Sequence, residues 1–600
     1  MKNLYIIILF VCCLININLK SEQVVPDAYY NFVKHEYQLN DDGSIVYHYE
    51  HNLKLLSYMS FNRLFGESFI TYNSDWQELK IIKAETKSSS GEIIKSPFNA
   101  FNKVLPGEVG QATTYMNLRE MVVTHTGLER NAEIAFEYSL TSKKGFYPGL
   151  IGKITIGSHE PIKYFEIVIK VPKDSKINLF MSNNGPMGEK STHDNFDFYT
   201  WKLYDIPLIP VESNQPNMEL FLPTLYISTA TNSDIVRHLD LENNQLFELS
   251  SKAKDVCNEI IKNQFSFQDK CFALRNYIFQ NIGQTNIEIT YLGWKTKKAQ
   301  ETFDRNVGSK LDRAILLTAM CRAVGINAEI AVTTNFSNAK PDLSLLSQWG
   351  EYLVYCTSDN TNDFPLLLDP NNNQNSILPK SISKKTTFVV NPKKISLIPA
   401  TDEPGKLTLS LNLKLTNEST EGLGKISVSG DYMPDFEYEK CNKTINGYFN
   451  ALGWTTDNKG KDKFSLNEFS ENIKIKKIHE KMLDDIIELE LPFISPQLQK
   501  IELIPVTRVT PFGLTSLIDE EYNIKIELPN NLKNIFTPKE LNISNPVGSL
   551  SSTVKNDKNT IEIHRKIKIA KQYIAPEDYH YLYELISAWK NKYHNNVYLK

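Results

Sequence analysis

Residues 310–324, KLDRAILLTAMCRAV, constrain this chain more than any other stretch. Leu311, Ala314, Leu317, Cys321 and Val324 recur at helical spacing, and Ile315, Leu316, Ala319 and Met320 cover much of the remaining surface. A helix apolar around most of its circumference must be covered on several sides, so this segment belongs at the centre of a core. Ser309 followed three residues later by Asp312 is a near match to a capping box, which puts Lys310 at the first helical position. Gly325 is suited to end the helix in a left-handed conformation.

The chain around this helix changes character twice. Residues 24–235 read as short strands, among them EIAFEYSL (133–140) and YFEIVIKVP (164–172), punctuated by turn signals such as Asp41-Asp42-Gly43 and Pro106-Gly107. Many short strands at this spacing indicate a β-sandwich. Residues 240–395 switch to helical periodicity. FELSSKAKDVCNEIIKNQ and QDKCFALRNYIFQNI each present one apolar face, KKAQETFD (297–304) is a short helix, and EIAVTTN, EYLVYC and FPLLLD follow as strands. Helices followed by strands make an α+β domain. From about 400 to 600 the chain is β again, with KLTLSLNLKLT (406–416) in clean alternation. Pro576 and the series Tyr579, Leu582, Ile586 and Trp589 then mark a closing amphipathic helix. The expected fold class is therefore multidomain: a β-sandwich, an α+β core, and a second β-sandwich ending in a helix.

At the N-terminus, Lys2 precedes the apolar run IIILFVCCLI and then a polar exit, the layout of a secretory signal peptide over residues 1–22, with cleavage near Ser21. That run is too short to span a bilayer, and no later stretch is long enough. The expectation is an exported chain, periplasmic or secreted, with a lipid anchor at Cys12 or Cys13 the weaker alternative because neither cysteine follows a small residue. The formal charge of 66 minus 70, or −4, supplies no basic excess for nucleic acid. Beyond the leader stand Cys257, Cys271, Cys321, Cys356 and Cys441, none in a CxxC pair, so neither a zinc site nor a thioredoxin-type site is indicated. No metal constellation and no phosphate-binding loop is present, and no cofactor is expected.

Gly308-Ser309-Lys310-Leu311-Asp312-Arg313-Ala314-Ile315-Leu316-Leu317 resembles the segment G-D-C-x-D-x-A-x-L-L that opens the core helix of transglutaminase-like proteins, a superfamily that includes papain-like cysteine peptidases. Arg322-Ala323-Val324-Gly325-Ile326 is similar to the run that follows it, and AQETFDRNVG (299–308) resembles the approach. Residues 24–235 resemble the DUF3857 domain, and residues 500–600 the DUF3858 domain, that flank such a core in exported Bacteroidota proteins. The resemblance implies a Cys–His–Asp site. It places the cysteine at Lys310, the histidine at Glu351 or close to it, and the aspartate at Asp369.

Two of these three positions are changed. Eleven histidines occur in the chain, and none lies between His238 and His479, so no shift of alignment within the core restores an imidazole. Cys321 lies three turns down the apolar stripe and Cys356 five residues along the strand from Glu351, both at packing positions. The reading that follows is a pseudoenzyme: Lys310, Glu351 and Asp369 fill a degenerate site as an ion cluster, one ammonium against two carboxylates. Such a chain serves as a binding or scaffold module for a protein, peptide or glycan of the cell envelope, with Tyr291, Trp294, Trp349 and Tyr352 as candidate cleft-lining aromatics. The alternative is an active enzyme of the superfamily with non-standard chemistry at Lys310.

Overall fold

In a computed structural model the described residues are 26–110, 112–334, 344–373, 385–391, 395–398, 403–435, 441–464, 468–479, 486–504 and 507–600. The expected signal peptide lies outside them. Among the described residues, no helix is long and apolar enough to cross a membrane.

The N-terminal region builds an eight-stranded sheet accompanied by two three-stranded sheets. Strand Ile162–Pro172 shows why. Ile162, Phe165, Ile167, Ile169 and Val171 point inward while the residues between them stay partly exposed, the period-two pattern of a half-buried strand. It pairs in parallel with Ala28–Leu39 and antiparallel with Phe196–Ile206.

The central region packs helices Ser251–Ile261, Phe267–Asn281, Ala299–Arg305 and Lys310–Ala323 against a five-stranded antiparallel sheet. The sheet runs Leu366–Leu368, Trp349–Thr357, Asn327–Thr334, Thr387–Val390 and Ile395–Ile398. The core helix Lys310–Ala323 is buried from Leu311 through Cys321, as its apolar circumference demands. It ends where Gly325 takes a φ of 78°, a conformation that costs glycine nothing.

The C-terminal region forms another eight-stranded sheet. Strand Gly405–Leu415 alternates buried and exposed residues along its whole length. Helix Tyr579–Lys590 covers the core with Tyr579, Leu582, Leu585, Ile586 and Trp589. Pro576 opens a 3-10 turn just ahead of this helix rather than the helix itself. Helix Cys441–Asn450 was not expected in a β region. Its sequence offers only a short apolar signal, Ile445 and Phe449, interrupted by Gly447; both apolar side chains are fully buried.

The three regions are bound to one another by specific contacts. Glu212, at the end of the first region, accepts hydrogen bonds from the Val509 and Thr510 N–H groups at 3.1 and 2.8 Å. It also lies 3.6 Å from the Arg508 guanidinium, whose side chain is 4% exposed. Ser347 in the core donates to the Gly152 carbonyl at 2.9 Å.

Candidate functional site

Ser309 caps the core helix. Its hydroxyl accepts the Asp312 N–H while the Asp312 carboxylate accepts the Ser309 N–H, a complete capping box. Asp312 is buried and takes three further hydrogen bonds, from the Lys297 N–H at 2.7 Å, the Tyr115 hydroxyl at 2.5 Å and the Ser309 hydroxyl at 2.7 Å. Burial raises its pKa, and these hydrogen bonds, Tyr115 first, oppose the rise. Tyr115 comes from the N-terminal region and also accepts the Ser309 N–H at 2.8 Å. A residue of one domain thus completes the cap of another domain's central helix.

Lys310 follows at the first helical position and reaches across to the adjacent strand. Its Nζ lies 3.1 Å from Glu351 Oε2, with the two side chains 40% and 24% exposed. Among the described residues this is the ion pair of Lys310. The pair is half open to water, so the cost of breaking a buried cluster does not apply to it.

The strand carrying Glu351 is irregular at this point. Val332 pairs with Tyr352 and Thr334 with Trp349, so that Gly350 and Glu351 stand opposite Thr333 alone. This is a β-bulge, and the Thr333 hydroxyl accepts the Glu351 N–H at 2.8 Å. Residues three apart on a regular strand face opposite sides; a bulge re-aims side chains, and here Trp349 and Tyr352 both line one cleft. Its other walls are Thr285–Ile289, Ser309, Lys310 and Leu311, and its volume is about 240 Å³.

Asp369 is buried at the end of strand Leu366–Leu368 and accepts the Asn371 N–H at 2.8 Å. Beside it stands Arg313, which donates to Asn371 Oδ1, Gln284 Oε1 and the Ile278 carbonyl. Burial lowers the Arg313 pKa to about 10, and the Asp369 charge works against that. The charges of this junction are also felt at a second lysine, Lys385, which the sequence does not single out. Burial lowers the pKa of Lys385; Glu351 and Asp369 counter the effect and Lys310 adds to it. The expected single ammonium is therefore joined by Lys385 and Arg313.

Of the four candidate aromatics, Trp349 and Tyr352 line the cleft. Trp294 is instead in the core, with its ring centroid 5.9 Å from that of Tyr147. Tyr291 is 37% exposed and does not line the cleft.

No cysteine reaches this site among the described residues. Cys257, Cys271, Cys321 and Cys356 are all buried and unpaired. Cys321 and Cys356 Sγ are 4.0 Å apart, and hydrogen bonds to Cys271 and Cys321, then burial, push the Cys356 thiol well up. A thiol held neutral is a poor nucleophile. The histidine nearest to the core helix in sequence, His238, has its ring engaged 2.6 Å from the Gly293 carbonyl.

Comparison with known proteins agrees with this architecture. The chain matches the domains of unknown function DUF3857 over residues 41–210 and DUF3858 over 485–599, and between them the transglutaminase-like superfamily over 254–358. A crystal structure described as a "putative protease", from Parabacteroides distasonis ATCC 8503, covers 96% of this chain and 99% of its own at 25% identity, with a TM-score of 0.69. An M1 zinc metallopeptidase from Deinococcus radiodurans covers 34% of this chain and 42% of its own at 8% identity, with a TM-score of 0.18 that carries no argument. No curated protein matches the sequence.

Proposed function

We propose that this chain is an exported, non-catalytic member of the transglutaminase-like architecture that binds a partner through its core cleft in the cell envelope. The observation that carries this reading is the Lys310–Glu351 pair, 3.1 Å apart. It occupies the two places where the resemblance puts the nucleophile and its base, in a core without any histidine. A lysine acting as nucleophile needs a desolvated pocket, whereas this one has a half-exposed side chain and a carboxylate partner. Of the partner classes that suit an envelope protein, a peptide fits better than a glycan. The cleft lies between a helix start and a strand and falls below the roughly 300–1,000 Å³ of sites that enclose drug-sized ligands.

The test is retention of a mixed peptide pool by the purified full chain. Retention that Trp349→Ala abolishes supports the reading; a chain that retains no peptide removes it. The name given to the Parabacteroides structure favours a second reading, peptide-bond hydrolysis with Lys310 in an unconventional role. Turnover of the same pool, dependent on Lys310, is its signature.

A further inference from the structure

The cleft wall carries polar groups that nothing among the described residues satisfies. Among the described residues, Thr285 Oγ1 and Trp349 Nε1 are each buried without a hydrogen-bond partner, on residues only 6% and 8% exposed. The Tyr352 hydroxyl, on a residue 3% exposed, has the Trp294 indole N–H on its oxygen, and its own O–H remains to be donated. Buried polar groups are nearly always paired, and each one left alone costs about 1–3 kcal/mol. Two of them and a spare hydroxyl donor on one small cleft mark a place built to receive something.

Their chemistry limits what that can be. The indole N–H only donates, and an ammonium only donates. Lys310, also on the wall, has one carboxylate partner at 3.1 Å, and its ammonium has three donors. The core helix begins here too, and its first N–H groups and dipole favour negative charge. The depth of the cleft therefore asks for oxygen acceptors carrying negative charge. Glu288, exposed, borders the same cleft, and Glu351 stands beyond Lys310. Both are acceptors, suited to a donor on the ligand's outward side. Apolar walls from Ile287, Ile289 and Leu311 leave room for a small side chain between.

We infer that the cleft recognises the C-terminal residue of a peptide, with its carboxylate against Lys310, Trp349, Tyr352 and Thr285 and its amide N–H turned outward to Glu288. This rests on the reading of the core as a binding module, and it narrows that reading to a chain end. A free amino acid offers the same carboxylate but an ammonium in place of the amide, and is separated from a peptide end by competition.

The experiment uses the full chain and an N-acetylated tripeptide pool randomised at its last position, prepared once as the free acid and once as the C-terminal amide. Retained peptides are quantified by mass spectrometry. The expected result is about tenfold greater retention of the acids, reduced about fivefold or more by Tyr352→Phe and by Lys310→Met, with free amino acids competing poorly. Equal retention of acids and amides overturns the carboxylate assignment while leaving a peptide-binding cleft in place. Retention of neither overturns both. Competition by free amino acids as strong as by peptides replaces the chain end with a small zwitterion. If a variant fails to fold, as judged by its thermal transition, the comparison of acid with amide on the unaltered chain decides alone.

Discussion

The Tyr115 hydroxyl of the N-terminal region donates a 2.5 Å hydrogen bond to the Asp312 carboxylate on the first turn of the core helix. The bond spans 197 residues of sequence and joins two domains at the base of the candidate site. Because Asp312 also closes the capping box with Ser309, the position of Lys310 depends on a contact made from outside its own domain.

Removing that contact should be felt in the core. Tyr115→Phe leaves the buried Asp312 one donor short and the Ser309 N–H without its acceptor hydroxyl. The expected cost is about 1–3 kcal/mol, read as a lower denaturation midpoint in urea. An unchanged midpoint would mean that water replaces the hydroxyl and that the interdomain cap is incidental.

The Lys310–Glu351 pair should contribute little to stability. Its side chains are 40% and 24% exposed, so screening by water holds the coupling to about 0–1 kcal/mol. A double-mutant cycle with Lys310→Met and Glu351→Gln measures it, and raising the salt concentration should shrink it further. A coupling of several kcal/mol would restore the picture of a buried cluster.

Acid should shift the stability of the two β-domains in opposite senses. Burial lowers the pKa of His35 to about 4, His51 to about 3 and His125 to about 4, against an ordinary 6.5. Between those values and 6.5 the unfolded chain binds protons that the native N-terminal domain refuses, so its stability falls as pH drops below 6.5. Tyr47, Tyr49 and Ser68 hydroxyls hold the three rings at 2.8–3.0 Å. In the C-terminal domain burial raises Glu520 from 4.5 to about 7, opposed by hydrogen bonds from Tyr432, Ser495 and Tyr522. There the native state holds the extra proton, so stability declines as pH rises from 4.5 to 7. Hydrogen exchange at about pH 5 and pH 7 should show protection lost at acid pH in strand Ile45–Leu55 and gained in strand Ile518–Glu527. Parallel changes in both domains would contradict these assignments.

The four buried thiols should be inert in the folded chain. Cys257, Cys271, Cys321 and Cys356 are expected to resist alkylation in native buffer and to react fully in denaturant, as read peptide by peptide in a mass spectrometer. Labelling of Cys321 or Cys356 in the native state would show access to the thiol cluster, and with it a route to cysteine chemistry.

Much of this molecule was legible where pattern and burial coincide. The apolar circumference of Leu311–Val324, the Ser309–Asp312 cap and the alternation of 406–416 each depend on neighbours in sequence, and each is present as read. What was hidden depends on distant partners. Nothing near Tyr115 announces a hydrogen bond to Asp312, and nothing in the stretch containing Lys385 announces that the Glu351 charge is felt there. The bulge at Gly350–Glu351 is equally silent, because Trp349 and Tyr352 read as opposite faces of a regular strand. Trp294 lies near the cleft residues in sequence, yet its ring packs against Tyr147 in the core. The start of the core helix is thus readable in the sequence, while the shape of the cleft around it is not.

The most direct test of the account is turnover. Full-length protein is incubated with unfolded casein and with a labelled primary amine, and both peptide cleavage and amine incorporation are followed, alongside Lys310→Ala. The account predicts that neither rises above the protein-free control. Cleavage or incorporation that is present in the unaltered chain and lost in Lys310→Ala would contradict it and establish an enzyme built on a lysine.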